Sequence, residues 1–176
     1  MYSTYIRGSG KITSTYIPTN PNGSIDYSNI RTYHFSATNK VVTDLRKTTP
    51  VNKGAVKEYY NPQSFPTGTW NVEKSIPVAA DDPEKQAKGN VFIPTNATLT
   101  VDTYGTTKPD TGAQPTGTQV DGGYGLHFSE YNTTLGCIKI GSQEQANLFA
   151  TLSDQALPGF LVGWNTDKGR SLVFFK

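Results

Sequence analysis

The sequence predicts a mainly β protein that forms one domain over residues 1–176. Threonine, glycine and proline are abundant throughout, and short apolar runs alternate with clusters of turn residues. β-branched and aromatic residues favour strands, while glycine and proline favour the turns that join them. A chain of this length buries about 70% of its unfolded surface, which is enough for a hydrophobic core. We therefore expect a β-rich domain built from many short strands.

The strands are predicted from the pattern of apolar residues. Residues 1–30 carry two short apolar pieces between turn clusters, so we expect an irregular or hairpin-like N-terminal lead-in. The pattern over residues 30–45 predicts a hairpin, with Tyr33 and Phe35 on one face and His34 between them. Further segments are predicted as a loop at 48–62, a turn at 66–68 followed by one strand that reaches Ile76, strands at 91–93 and 97–104, and a closing hairpin at 160–175.

A single helix is predicted directly after Gly141. Ser142, followed three residues later by Gln145, forms a capping-box pattern. Apolar residues then recur at near-helical spacing through Phe149 and Leu152. The pattern predicts a helix of about ten to twelve residues.

Composition and charge argue against several classes of function. The net charge is +2 and no run of Lys or Arg exceeds two residues, so we expect no nucleic-acid partner. The first residues lack the charged and apolar regions of a signal peptide, and no apolar run approaches the length of a membrane span. Two distant histidines and one cysteine do not form a zinc-binding set, so neither a metal nor another cofactor is predicted.

The residues with the clearest chemistry lie in the stretch 122–141. It contains Cys137, which is the only cysteine, and His127, which is one of two histidines. Nucleophilic acyl chemistry uses such a pair, because the thiolate attacks and a nearby base makes it available. Apolar residues on both sides predict two strands joined by the polar loop 129–134, a hairpin that would bring thiol and imidazole together. The turn-rich segment 105–123 is predicted to be a mobile loop that could serve as a lid.

The turn before the cysteine adds further candidates. Gly136 permits a backbone turn, and the consecutive amides of Gly136 and Cys137 could both point at an oxyanion. The Thr134 hydroxyl could form a hydrogen bond within the same turn. A backbone carbonyl or Ser129 could orient the ring of His127.

A non-catalytic interpretation stands beside the catalytic one. A free cysteine often acts as a small buried hydrophobe, and His34 in a strand is expected to be structural, although it is a rival base. The alternative is thus a β-rich structural or binding module, of a phage or a surface protein, in which the Cys/His motif has decayed. The module predicts an ordinary pKa for the Cys137 thiol, whereas an enzyme predicts a depressed one.

Two segments resemble the L,D-transpeptidases of the YkuD type. Residues 134–139, Thr-Leu-Gly-Cys-Ile-Lys, resemble the nucleophile motif of that family, in which Ser or Thr, His, Gly, Cys, an aliphatic residue and Arg follow an upstream histidine. Residues 65–72, Phe-Pro-Thr-Gly-Thr-Trp-Asn-Val, resemble its Thr-Pro-x-Gly-x-Phe-x-Ile segment. Leu135, Lys139 and Phe128 stand where the family usually has His, Arg and Gly. With a residue other than histidine at the second position of the motif, the chain resembles divergent type VI secretion effectors with L,D-transpeptidase-like domains.

The resemblance implies a fold, an activity and partners. The fold would be a β-sandwich or open barrel with one α-helix after the nucleophile strand. The activity would be acyl transfer on peptidoglycan peptide stems, as transpeptidation, carboxypeptidase action or D-amino-acid exchange. It would take place in the bacterial periplasm or cell wall, with an immunity protein or secretion machinery as further partners. The site residues would be Cys137, His127 and Gly136 for catalysis, and Thr134, Ser129, Lys139 and Tyr124 for binding or orienting substrate.

Overall fold

The computed structural model describes residues 1–18, 20–44, 46–47, 58–155, 160–165 and 170–175. Strands make up 36% of the chain and helices 14%, which confirms the mainly β class. The strands are β1 (Tyr2–Ile6), β2 (Lys11–Tyr16), β3 (Arg31–Thr38), β4 (Arg46–Lys47), β5 (Tyr59–Tyr60), β6 (Thr69–Val72), β7 (Ile76–Pro77), β8 (Val91–Pro94), β9 (Leu99–Thr103), β10 (Gly117–Asp121), β11 (Gly125–Phe128), β12 (Ile138–Ile140), β13 (Phe160–Asn165) and β14 (Arg170–Phe175). The helical elements are α1 (Lys85–Lys88), α2 (Gln143–Gln155) and a 3-10 turn at Tyr27–Asn29.

The strands form two sheets. One has ten strands in the order β6-β13-β14-β1-β2-β3-β12-β11-β8-β7, and the other has four in the order β10-β9-β5-β4. The larger sheet curls back towards itself, because Val72 of β6 bridges to Thr95 just beyond β8. The amide of Glu73 also donates to the carbonyl of Pro94 (2.9 Å). Two strands that are far apart in the order of the sheet are thereby brought side by side.

The core lies between the larger sheet and α2. Phe149 of α2 is fully buried and meets the ring of Phe35 edge to face, with 5.2 Å between ring centroids. Leu126 and Ile138 stand opposite each other on neighbouring strands, and both side chains are buried. The helix α2 thus packs against the buried face of the larger sheet, behind Leu126 and Ile138.

The first turn of α2 is capped as the sequence predicts, but only in part. The amide of Gln145 donates to the hydroxyl of Ser142 (3.2 Å), which is half of a capping box. The Gln145 side chain does not complete the box, because its carbonyl oxygen accepts from the amide of Ser36 in β3 (2.8 Å). The predicted helix is therefore confirmed, at 13 residues, and its first turn also ties it to the sheet.

Several predicted strands are confirmed, and other segments differ from the prediction. The strands expected at 91–93 and 97–104 and the closing hairpin at 160–175 are present as β8, β9, β13 and β14. The single strand expected after the turn at 66–68 is wrong: it is divided into β6, which pairs with β13, and β7, which pairs with β8. The backbone breaks between them, where the amide of Ser75 donates to the carboxylate of Asp154 (3.0 Å). The aromatic side chains of the closing hairpin, and residues 48–57 of the predicted loop at 48–62, lie outside the described part of the chain.

The N-terminal lead-in is regular over most of its first half. β1 and β2 pair as an antiparallel hairpin and lie within the larger sheet, between β14 and β3. The irregular alternative is therefore wrong for residues 2–16, and the hairpin-like alternative is correct.

The hairpin predicted over residues 30–45 is wrong in its second half. β3 forms, with Phe35 buried and His34 exposed, but the chain then leaves the sheet. Val41 makes a parallel bridge to Thr134, and the amide of Thr134 donates to the carbonyl of Lys40 (2.9 Å). A distant segment takes the place of the local partner, so no tight hairpin closes; Leu45 lies outside the described residues.

The loop predicted at 105–123 ends in a strand. Residues 117–121 form β10 and pair with β9 in an antiparallel ladder. The amide of Thr116 donates to the carbonyl of Thr103 (2.8 Å), which extends the pairing by one bond. Backbone pairing outweighs the local turn signals here, so the lid interpretation does not hold for this part of the segment.

The packing of α2 makes a testable prediction. Replacing Phe149 by alanine should lower the free energy of unfolding by about 3–5 kcal/mol, because it leaves a cavity against Phe35. The adjacent Leu148 is 44% exposed on the same helix, so Leu148→Ala should cost only about 0.5 kcal/mol. Urea denaturation followed by circular dichroism measures both, and equal losses would contradict this account of the core.

Candidate active site

β11 and β12 pair in parallel, which brings His127 on β11 near Cys137, the residue just before β12. Leu126 pairs with Ile138, and His127 with Lys139. The antiparallel hairpin predicted for this stretch is therefore wrong. The strands have four and three residues, and the nine-residue connection 129–137 can span about 30 Å, so the chain crosses over and re-enters from the same end.

His127 and Cys137 lie on the same face of this strand pair. Side chains alternate along a strand, and Leu126 and Ile138 both face the core. The residues next to them, His127 and Cys137, therefore face the other way. Extending the register by one residue places Cys137 beside Gly125, two residues from His127 along β11. The two side chains line one cavity of about 520 Å³.

Three parts of the chain form the walls of this cavity. α1 and the residue before it contribute Lys88 and Glu84, the end of β10 and the turn that follows it contribute residues 121–124, and the crossover contributes most of the rest. Leu135 lies on the crossover wall and is 52% exposed. The volume is in the range of small-molecule and peptide sites.

His127 is held with its Nε2 atom as the available base. Its Nδ1 atom lies 2.8 Å from the carbonyl oxygen of Phe128. A carbonyl can only accept, so Nδ1 carries the proton and Nε2 keeps its lone pair. Burial lowers the pKa of His127, and the nearby ammonium groups of Lys88 and Lys139 act in the same direction. The ring is therefore neutral near pH 7.

The group that orients His127 is thus the Phe128 carbonyl, one of the two candidates predicted from the sequence. Ser129, the other candidate, has a different contact: its hydroxyl oxygen accepts from the amide of Tyr131 (3.1 Å). Ser129 is buried and lines the cavity, where it fixes the start of the crossover.

The Cys137 thiol is protonated near neutral pH. The residue is partly exposed, and its sulfur lies 3.9 Å from the carbonyl of Gly123. Burial of the thiol raises its pKa to about 11, although a hydrogen bond from the Gly125 amide and the charge of Lys88 both favour the thiolate. The depressed pKa expected of an enzyme is not found in this structure.

Gly136 is required by its surroundings. Its φ is +130°, and a Cβ atom there would overlap the ring of Tyr124 and lie 2.7 Å from the carbonyl of Gln63. Its amide donates to the hydroxyl of Thr134 (3.3 Å), and that hydroxyl donates to the carbonyl of Cys137 (2.8 Å). The predicted hydrogen bond of Thr134 within the turn is confirmed. The expectation that the Gly136 amide faces an oxyanion is wrong, because that amide is engaged by Thr134.

Of the other two predicted binding residues, Tyr124 lines the cavity and Lys139 does not. Tyr124 is buried in the cavity wall, and its hydroxyl donates to the Asp121 carboxylate (2.9 Å). Lys139 is not among the described residues that line the cavity. Its Nζ atom donates to the carbonyl of Tyr131 (2.6 Å), so it braces the crossover.

Asp121, Lys88 and Phe92 line the cavity and were not among the sequence candidates. Lys88 pairs with Glu84 on α1, and its Nζ atom lies 5.1 Å from the centre of the Phe92 ring. Phe92 stands in a segment that the sequence predicts as a strand, and Asp121 in one that it predicts as a turn-rich loop. Their positions come from tertiary packing, so no local motif could have identified them.

Comparisons with protein-family models, with curated proteins and with solved structures find no match to this chain. Within the described ranges, no helix is long and apolar enough to cross a membrane. The same ranges contain no group of three or more His, Cys, Asp or Glu residues placed to hold a metal ion.

The tight contact at Gly136 can be tested by substitution. Gly136→Ala should lower the free energy of unfolding by about 3 kcal/mol, because the added methyl group meets both strain and the Tyr124 ring. Gly112 has a similar positive φ of +85° but open space around it, so Gly112→Ala should cost only about 1 kcal/mol. Thermal unfolding compares the two, and equal costs would show that the Tyr124 contact is unimportant.

The raised pKa of Cys137 predicts slow alkylation. Between pH 7 and pH 10 the rate with iodoacetamide should rise about tenfold per pH unit without a plateau, because the thiolate fraction rises in that way below the pKa. At pH 8 the thiolate fraction should be about 100-fold lower than for a thiol of pKa 9.0. Mass spectrometry of the alkylated protein gives the rate, and a plateau near neutral pH would contradict the prediction.

Proposed function

We propose that this protein is a cysteine-dependent acyl-transfer enzyme that acts on the peptide stems of bacterial peptidoglycan. The observation that carries the proposal is the placement of His127, on β11, and Cys137, directly before the parallel strand β12, in the wall of one cavity. The hydrogen bond from His127 Nδ1 to the Phe128 carbonyl leaves Nε2 on the ring as a base. The class of substrate comes from the resemblance of residues 134–139 and 65–72 to L,D-transpeptidases.

The reaction begins from a neutral pair. Nε2 of His127 accepts the thiol proton as Cys137 attacks the substrate carbonyl, so no free thiolate has to exist beforehand. The amide of Cys137 donates to the oxygen that becomes negative. The imidazolium then gives its proton to the leaving amine, and an acyl-enzyme results. A second amine yields transpeptidation or exchange, and water yields carboxypeptidase action.

The resemblance to type VI secretion effectors extends the proposal to a biological role. The protein would act in the periplasm or cell wall after delivery by a secretion machine. A cognate immunity protein would then bind it in the producing cell.

A second candidate is the non-catalytic β-rich module. Two observations favour it: the raised pKa of Cys137 and the engagement of the Gly136 amide by Thr134. In that case Cys137 and His127 pack the wall of a binding cavity and no acyl-enzyme forms.

The two candidates differ in the masses of the products. Purified muropeptides are incubated with the protein and a free D-amino acid, and the products are analysed by mass spectrometry. Loss of a residue, exchange and cross-linking each give a different mass. Cys137→Ala should give no product, and His127→Gln should lower the rate by about 10²–10⁴-fold, because it removes the general base.

His34→Gln is the matched control. His34 is exposed, and its Nδ1 atom lies near the Thr13 hydroxyl (3.2 Å) and outside the cavity lining. This variant should keep the wild-type rate. Products that persist in Cys137→Ala would overturn the acyl-enzyme, and a folded wild type without products would favour the module.

A further inference from the structure

The cavity contains a second set of polar groups, on the wall formed by residues 121–124. Asp121 ends β10, and its carboxylate is partly buried in that wall. One carboxylate oxygen accepts from the hydroxyl of Tyr124 (2.9 Å), and the other accepts from the amide of Gly122 (3.0 Å). Tyr124 is almost fully buried. The carboxylate is thus fixed in position by neutral donors.

The charges around the cavity leave Asp121 uncompensated. Among the described residues that line it, the charged side chains are Glu84, Lys88 and Asp121. Lys88 forms an ion pair with Glu84, so these two compensate each other. The imidazole and the thiol are neutral near pH 7, as shown above. One carboxylate therefore remains without an oppositely charged partner in this part of the chain.

Partial burial destabilises the charged form of a carboxylate of this kind unless a cation joins it. Burial raises the pKa of Asp121, and the two hydrogen bonds only partly oppose this. A cation that enters the cavity would relieve the cost, because it supplies the missing opposite charge. An ammonium group also has hydrogen-bond donors to offer, which matches the acceptor lone pairs of the carboxylate.

The position of Asp121 relative to Cys137 and His127 determines which part of a bound ligand Asp121 would contact. The Tyr124 ring lies against Gly136, so the Asp121–Tyr124 pair belongs to the nucleophile side of the cavity. Phe92 stands opposite His127 in the register, with 5.9 Å between their ring centroids, and Lys88 lies over Phe92. The two charged groups thus flank the reactive pair from opposite sides.

We propose that Asp121, held by Tyr124 and Gly122, binds a primary ammonium group of the ligand that occupies the cavity. Its catalytic use rests on the proposed function. There, the group that meets Asp121 belongs to the residue that provides the attacked carbonyl, because that residue lies on the nucleophile side. Asp121 is then the residue that selects peptide stems with a free side-chain amine.

Cys137 provides a reporter for this subsite that needs no enzymatic activity. The wild type is treated with three methanethiosulfonate reagents: 2-aminoethyl, which is cationic, 2-sulfonatoethyl, which is anionic, and methyl, which is neutral. The rates at Cys137 are measured by mass spectrometry and divided by those of a small free thiol. The cationic reagent should be preferred over the neutral one, and the anionic reagent should be the slowest.

Asp121→Asn keeps the shape of the side chain and removes its charge, so it should lower the preference for the cationic reagent by about fivefold. Asp102→Asn is the matched control, because it removes the same charge from an exposed position on the neighbouring strand β9, outside the cavity lining. It should leave the preference unchanged. Equal effects of the two variants, or no effect of Asp121→Asn in a folded protein, would overturn the proposal.

If Asp121→Asn fails to fold, the subsite can still be tested in the wild type, by competition between a free ammonium compound and the cationic reagent. Propylammonium chloride should lower the preference for the cationic reagent in a saturable way, and sodium chloride at equal concentration should do so much less. Identical effects of the two salts would count against the subsite.

A measurement of enzymatic activity tests the ammonium subsite separately from the proposed acyl transfer. Stems with a free side-chain amine and the same stems after N-acetylation are compared, and the first should react about fivefold faster or more. Equal rates would remove Asp121 from substrate selection while leaving the acyl transfer intact. If neither stem reacts, the proposed function fails, and the reagent preference alone decides whether Asp121 binds an ammonium group.

Discussion

The parallel pairing of β11 with β12 is the constraint on which the candidate site depends. It turns Leu126 and Ile138 towards the core together, and so turns His127 and Cys137 together towards the cavity. A slip of one residue in this register would place one of the pair in the core and the other in the cavity. The flanking strands oppose such a slip, because β8 pairs with β11 and β3 pairs with β12 in fixed antiparallel registers.

The parts of the fold that could be predicted from the sequence depend on local chemistry. The capping pattern at Ser142 and the apolar spacing after it act within one helix, and the closing hairpin is formed by neighbouring segments of the chain. The partner of β11 could not be predicted in this way. Apolar segments separated by a polar loop are compatible with a hairpin or with a crossover, and the choice between them depends on the distant strands β3 and β8.

The candidate site also divides into residues that local sequence identifies and residues that only the tertiary fold brings together. Cys137 and His127 could be selected as candidates because few residue types are capable of acyl chemistry, and Thr134 because its hydroxyl acts within its own turn. Lys139 is close to Cys137 in sequence, but its long side chain reaches the crossover and not the cavity lining. Asp121 is sixteen residues before Cys137, and only the folding of β10 beside the cavity gives it a place there.

The crossover between β11 and β12 is fastened at both ends. Near its start, the amide of Glu130 donates to the carbonyl of Gln86 (3.0 Å), and Lys139 holds the carbonyl of Tyr131. Near its end, the carbonyl of Thr134 accepts from the amide of Val42 (3.1 Å). A ligand therefore meets a wall that is already ordered, and little of its binding free energy is lost to conformational entropy. Such preorganisation favours rapid association by a ligand of matching shape and penalises one that needs the wall to move.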